Sequence, residues 1–166
     1  VRLDPTGMVQ AQRAAQRVSG LAVAEIVTSP LERCRQTARL LAGGQAAPPA
    51  LRAERGLTEC DYGEWQGRSL KELAKDPLWR TVQNQPSAAR FPGGESLAEM
   101  QARAVAAVRR LDASIERDHG PDATWVAVSA WAVLSPELSE DPALKPNQPT
   151  HRSPTPIRTM TRLDGC

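Results

Sequence analysis

Arg33 stands within Ser29-Pro-Leu-Glu-Arg-Cys-Arg-Gln-Thr-Ala-Arg-Leu-Leu41, a stretch whose residue types suit the holding of an anion. Val23, Ile26 and Val27 supply a β-branched run before it. Ser29 sits where an N-cap belongs, Pro30 suits the first helical position, and Glu32 completes a Ser-x-x-Glu capping box. A strand is therefore expected to turn into a helix at Pro30. The N–H groups at such a start favour negative charge, and a guanidinium one turn in can grip a phosphate through two hydrogen bonds. Taken alone, the pattern is more often just an ordinary capped helix with a surface arginine.

A second stretch with chemical potential is residues 57–69, which carry Glu59, Tyr62 and Trp65 between Gly63 and Gly67. An irregular loop of glycines, an aromatic pair and a carboxylate is the kind of segment on which sites are built. Its bare alternative is a solvated loop. Cys34, Cys60 and Cys166 are odd in number and match neither a zinc spacing nor a disulfide framework, so they are expected to be reduced thiols. No metal-ligand cluster is visible, and no cofactor is expected.

Ser29-Pro-Leu-Glu-Arg33-Cys-Arg-Gln36-Thr37-Ala38 resembles the S-P-x-x-R-x-x-Q-T-A segment of the histidine phosphatase superfamily, which includes phosphoglycerate mutases and small phosphatases. Leu3-Asp-Pro-Thr-Gly7-Met-Val-Gln10-Ala11 is similar to that family's L-x-x-x-G-x-x-Q-A opening, and Leu57-Thr-Glu59-Cys-Asp-Tyr62-Gly63-Glu-Trp65-Gln-Gly67 to its L-x-E-x-x-Y-G-x-W-x-G loop. The three stretches occur in the family's order, and the resemblance reaches over roughly residues 1–129. The resemblance implies phosphoryl transfer through a phosphohistidine, without a metal. It places Arg33 as a phosphate ligand and Glu59 as the acid that protonates the leaving oxygen. Glu95 and Ser96, in Gly-Gly-Glu-Ser, match another family feature whose expected role here is a helix cap.

The resemblance also implies a histidine in an Arg-His-Gly motif on a strand before Val1 and a second in a Ser-His-Gly motif after a late strand. The sequence opens at Val1, and its late strand leads into Ser129-Ala130-Trp131. His119 and His151 are the two histidines; the first closes a polar helix and the second lies among prolines, so both are expected to be solvated rather than catalytic. The implied function is that of a phosphatase or phosphoglycerate mutase acting on a small phosphorylated metabolite, inactive as these 166 residues stand. The alternative is a non-catalytic domain that binds a phosphorylated ligand or forms a homodimer. A Ser-Ala-Trp tripeptide written TCN-GCA-TGG becomes Ser-His-Gly when one base is removed. Residues 130–166 are accordingly expected to be a disordered or frame-shifted tail.

The elements that must position these groups are legible in the periodicity. Met8, Ala11, Ala15 and Val18 recur at helical spacing after a cap at Asp4 or Thr6; a strand is expected over 23–28, a helix from Pro30 to Ala42, and a short strand over 51–53. Ser69–Ala74 and 78–83 read as short helical pieces. Leu97, Met100, Ala104, Val108, Leu111 and Ile115 form an apolar stripe five turns long, and Val126 and Val128 mark a buried strand. Strands separated by helices imply an α/β domain over 1–129: a three-layer sandwich with a mostly parallel central sheet and helices on both faces, lacking its first strand and C-terminal elements. Six of the fourteen prolines fall after residue 130, where no apolar period survives, so no packed element is expected there.

The charge balance argues against extreme partners. With 21 basic and 19 acidic residues the net charge is +2, which creates no single-sign field for nucleic acid or an anionic membrane. No apolar run approaches the ~20 residues of a membrane helix and no leader is apparent, so a cytoplasmic protein is the expectation.

Overall fold

The computed structural model describes residues 1–130. Within them the elements run α1 (Pro5–Val18), β1 (Val23–Thr28), α2 (Glu32–Gly43), β2 (Ala50–Ala53), α3 (Leu70–Leu73), α4 (Pro77–Asn84), α5 (Leu97–His119) and β3 (Thr124–Val128), with 3₁₀ turns at Arg55–Leu57, Gly63–Trp65 and Pro86–Ala88. The expectations for the tail, including His151, fall outside the described residues. Val1–Thr58 with Ala104–Ala130 form one compact unit, and Glu59–Arg103 form another.

The first unit is built on a three-stranded parallel sheet in the order β2-β1-β3. Ile26 pairs in register with Leu51 on one side and Val126 on the other. Because successive strand residues point to opposite faces, Ile26 and Val27 serve different layers. Ile26 joins Val126, Val128 and the buried faces of α1 and α2, where Ala14, Ala15, Ala38 and Ala42 keep the helices close. Val27 packs with Leu57, Leu111 and Ile115 beneath α5. Burial on both faces is what a parallel sheet requires, and the expected helix–sheet–helix layering is present. β2 differs from its neighbours in being exposed at all four residues.

Caps fix the helix starts. Asp4 Oδ1 accepts a hydrogen bond from the Gly7 amide at 2.6 Å, and Pro5 opens α1. Ser69 and Glu72 form a reciprocal capping box on α3. Ser96 and Glu99 do the same for α5: the Ser96 amide donates to Glu99 Oε2 at 2.8 Å and the Glu99 amide to Ser96 Oγ at 3.1 Å.

The second unit has its own core, formed by Cys60, Trp65, Leu73, Val82, Ala89 and Phe91. Phe91 lies edge-on to both Tyr62 and Trp65, with ring centroids 5.0 and 5.2 Å apart. Trp65 Nε1 donates to Asp76 Oδ2 at 3.2 Å. The apolar stripe of α5 divides between the two cores. Leu97 and Met100 pack in the second unit, while Leu111 and Ile115 pack under the sheet of the first. No described helix is long and apolar enough to cross a membrane.

Candidate active site

Arg33 sits where the sequence predicted an anion-binding helix start, but the start is built differently. The predicted cap at Ser29 does not form. Ser29 is still strand-paired, its amide donating to the Val128 carbonyl at 2.8 Å, and it is fully buried. Its hydroxyl accepts from the Leu31 amide at 3.4 Å, a bond made before the helix rather than inside its first turn. The helix therefore begins at Glu32, after extended Leu31, and carries no side-chain cap. Sheet pairing outcompeted the capping box.

An uncapped helix start at the carboxyl end of a central parallel strand is where α/β sheets receive ligands. Arg33 is half-buried in the first turn, beside Cys34, whose side chain is in the core. Glu32 pairs with Arg39, at 3.5 Å, two turns along the same helix. Thr37 Oγ1 donates to the Arg33 carbonyl at 3.0 Å, and the Leu3 amide donates to Gln36 Oε1 at 2.8 Å, so Gln36 and Thr37 hold backbone. At the end of β3, Ser129 Oγ donates to the Leu57 carbonyl at 2.7 Å.

Glu59 opens the second unit and is half-buried. Its loop is zipped by backbone bonds to the turn at 91–96: the Glu64 amide donates to the Pro92 carbonyl at 2.8 Å and the Glu95 amide to the Asp61 carbonyl at 3.0 Å. Two glycines allow this approach. A Cβ on Gly63, whose φ is +52°, would lie 2.1 Å from Pro92 O, and one on Gly94 would lie 2.3 Å from Asp61 O. The Tyr62-Gly63 and Gly93-Gly94-Glu95 motifs are thus two halves of one structure. Trp65 and Trp79 belong to the core of this unit.

Glu95 departs from the expected cap. Ser96 and Glu99 cap α5, and Glu95 instead forms an ion pair with Arg103. Neither Glu95 as an acceptor for this loop nor Arg103 was picked out from the sequence as a site residue. The available signal was their spacing of eight, two helical turns apart. Burial, reinforced by the neighbouring Glu95 carboxylate, pushes the Cys60 thiol up from its ordinary 9.0 to about 11.

His119 is exposed, as expected. It ends α5, with Nε2 3.6 Å from Glu25 Oε1, and Arg52 Nη2 lies 3.1 Å from Glu25 Oε2 without hydrogen-bond geometry. His119 does precede a glycine, but at a helix end. Glu25 stands four residues before Ser29 on β1, about 13 Å of strand away from the start of α2. Among the described residues no group of three or more His, Cys, Asp or Glu side chains could hold a metal ion.

Residues 1–139 match the family model described as histidine phosphatase superfamily, branch 1. The probable phosphoglycerate mutase GpmB of Yersinia pestis (strain Pestoides F) is 32% identical over 120 residues, 71% of this chain and 54% of that protein. That of Enterobacter sp. (strain 638) is 33% identical over 108 residues, 64% of this chain and 49% of that protein. The chain spans about half the length of these curated relatives. Among solved structures, Bacillus stearothermophilus YhfR superposes with a TM-score of 0.68 at 28% identity, covering 80% of this chain and 63% of that one. A mycobacterial glucosyl-3-phosphoglycerate phosphatase, Rv2419c, gives 0.68 at 28% identity over 80% of this chain and 64% of that one. With the layered parallel sheet and the three sequence stretches agreeing with these matches, the chain belongs to the histidine phosphatase superfamily.

Proposed function

We propose that this chain recognises a small acidic phosphate ester, with Arg33 and the N-terminal amides of α2 holding the phosphate, and that the protein to which it belongs hydrolyses or transfers that phosphate. The observation that carries this reading is the half-buried Arg33 in the first turn of an uncapped helix at the carboxyl end of β1. The names of the relatives speak of phosphoglycerate and a glucosyl derivative of it, and both are small phosphorylated acids. Glu59 is the residue we assign to protonating the leaving oxygen, a role that needs a carboxyl within hydrogen-bond reach of that atom.

Covalent transfer also needs a nucleophile close to the held phosphorus. His119, at the end of α5, sits against Glu25, about 13 Å of strand before Ser29, and His151 was expected to be solvated rather than catalytic. These 166 residues are therefore expected to bind phosphate without turning an ester over. The test is hydrolysis of an aryl phosphate by the chain and by its His119→Ala variant. Both should match the buffer blank. Turnover lost with His119→Ala would overturn the placement of that histidine.

A further inference from the structure

Glu59 is flanked by peptide groups that are tied to one ion pair. The Asp61 amide donates to Glu95 Oε1 at 3.0 Å, and the Asp61 carbonyl accepts from the Glu95 amide at 3.0 Å. Arg103, two turns into α5, holds the same Glu95 carboxylate through Nε at 3.3 Å and through Nη2, and that Nη2 lies 3.5 Å from the Glu59 carbonyl. Between the two anchored peptides, the Cys60 side chain is buried in the core. The segment 59–61 is thus fixed by core packing at its centre and by charge-assisted bonds on both sides.

We propose that Glu95 and Arg103 are positioning residues for Glu59, a two-point clamp that fixes the peptide groups on either side of Cys60. A half-buried ion pair adds little net stability, because desolvation offsets attraction. What a bidentate guanidinium–carboxylate pair supplies is geometry. Here that geometry is delivered to backbone, at the residue whose carboxyl must be placed to within a few tenths of an ångström to pass a proton. The proposal rests on the reading of Glu59 as the acid.

The clamp is testable without turnover or ligand. Amide exchange at Asp61 and the carboxyl carbon resonance of Glu59 are followed by NMR in the 166-residue chain and in its Arg103→Gln, Arg103→Lys and Glu95→Gln variants, with the Trp65 and Phe91 ring signals as internal standards. Arg103→Gln should speed Asp61 exchange at least tenfold and move the Glu59 resonance to that of exposed Glu64, while the ring signals stay in place. Arg103→Lys, which keeps the charge but not the fork, should fall between. In the unaltered chain the Asp61 amide nitrogen should show scalar coupling to the Glu95 carboxyl carbon across their hydrogen bond, a measurement that needs no variant to fold. Asp61 exchange within twofold of the original, ring signals that move with it, or absence of that coupling would each overturn the clamp. Loss of phosphate binding at Arg33 would defeat the functional reading and leave these signals unchanged.

Discussion

Cys60 shows how far a side chain's chemistry is set by its surroundings. Its folded thiol holds the proton up to about pH 11, whereas the unfolded thiol releases it near 9.0. The folded state therefore binds the extra proton between these values, and its stability falls as pH rises from about 9 to about 11. The thiolate population at pH 8 drops about a hundredfold relative to an unperturbed thiol, so alkylation located at Cys60 by mass spectrometry should slow by at least that factor and recover in urea. Rates equal to the urea-unfolded chain would show the burial to be wrong. Arg33 and Glu59 stand out in the sequence because each lies in a motif of the family, which local spacing alone would leave as a capped helix and a solvated loop. Glu95 could not be assigned correctly, because its partners are an amide 34 residues away and an arginine whose spacing also suits a solvated helix face.

At the scale of elements, the boundaries followed local signals wherever local signals had no competitor. Asp4 caps α1, one of the two residues expected there, Ser96 caps α5 with Glu99 in place of the expected Glu95, and Ser69 with Glu72 opens α3 where a helical stretch was expected. Ser29 failed as a cap because its backbone was already committed to β3, a pairing with a residue 99 positions later that no local pattern contains. The glycine motifs were visible as a loop, but not as a zipper between two loops. Gly63→Ala should cost more than about 2 kcal/mol in the unfolding of the Glu59–Arg103 unit, since it combines a left-handed backbone with a clash against Pro92. Gly67→Ala, with φ +80° and open space around it, should cost only about 1 kcal/mol, and Gly20→Ala should be close to neutral. Equal midpoints in urea for Gly63→Ala and Gly67→Ala would mean the zipper is loose.

For the whole molecule, the helix–sheet–helix layering was readable from alternating strand and helix periods, whereas the division into two units was not, because α5 carries one unbroken apolar stripe through both. The family match runs to residue 139, past the point where Ser129-Ala130-Trp131 replaces the expected Ser-His-Gly. We expect the gene to read GCA at codon 130, so that removing one base restores the histidine motif with an amphipathic continuation in the neighbouring frame. Sequencing across codons 125–135 checks this; another alanine codon would make Ala130-Trp131 a genuine departure.

The role of Arg33 is open to the most direct test, a titration of the chain with inorganic phosphate followed on its backbone amides. The Glu32, Arg33 and Cys34 amides should shift together and saturate in the millimolar range, which corresponds to about 4 kcal/mol, and Arg33→Ala should abolish the response while Arg39→Ala leaves it intact. Shifts that rise without saturating and spread over Arg13, Arg17, Arg35 and Arg39, or equal losses in the two variants, would show only generic attraction of an anion to a basic surface and would contradict a phosphate site at the start of α2.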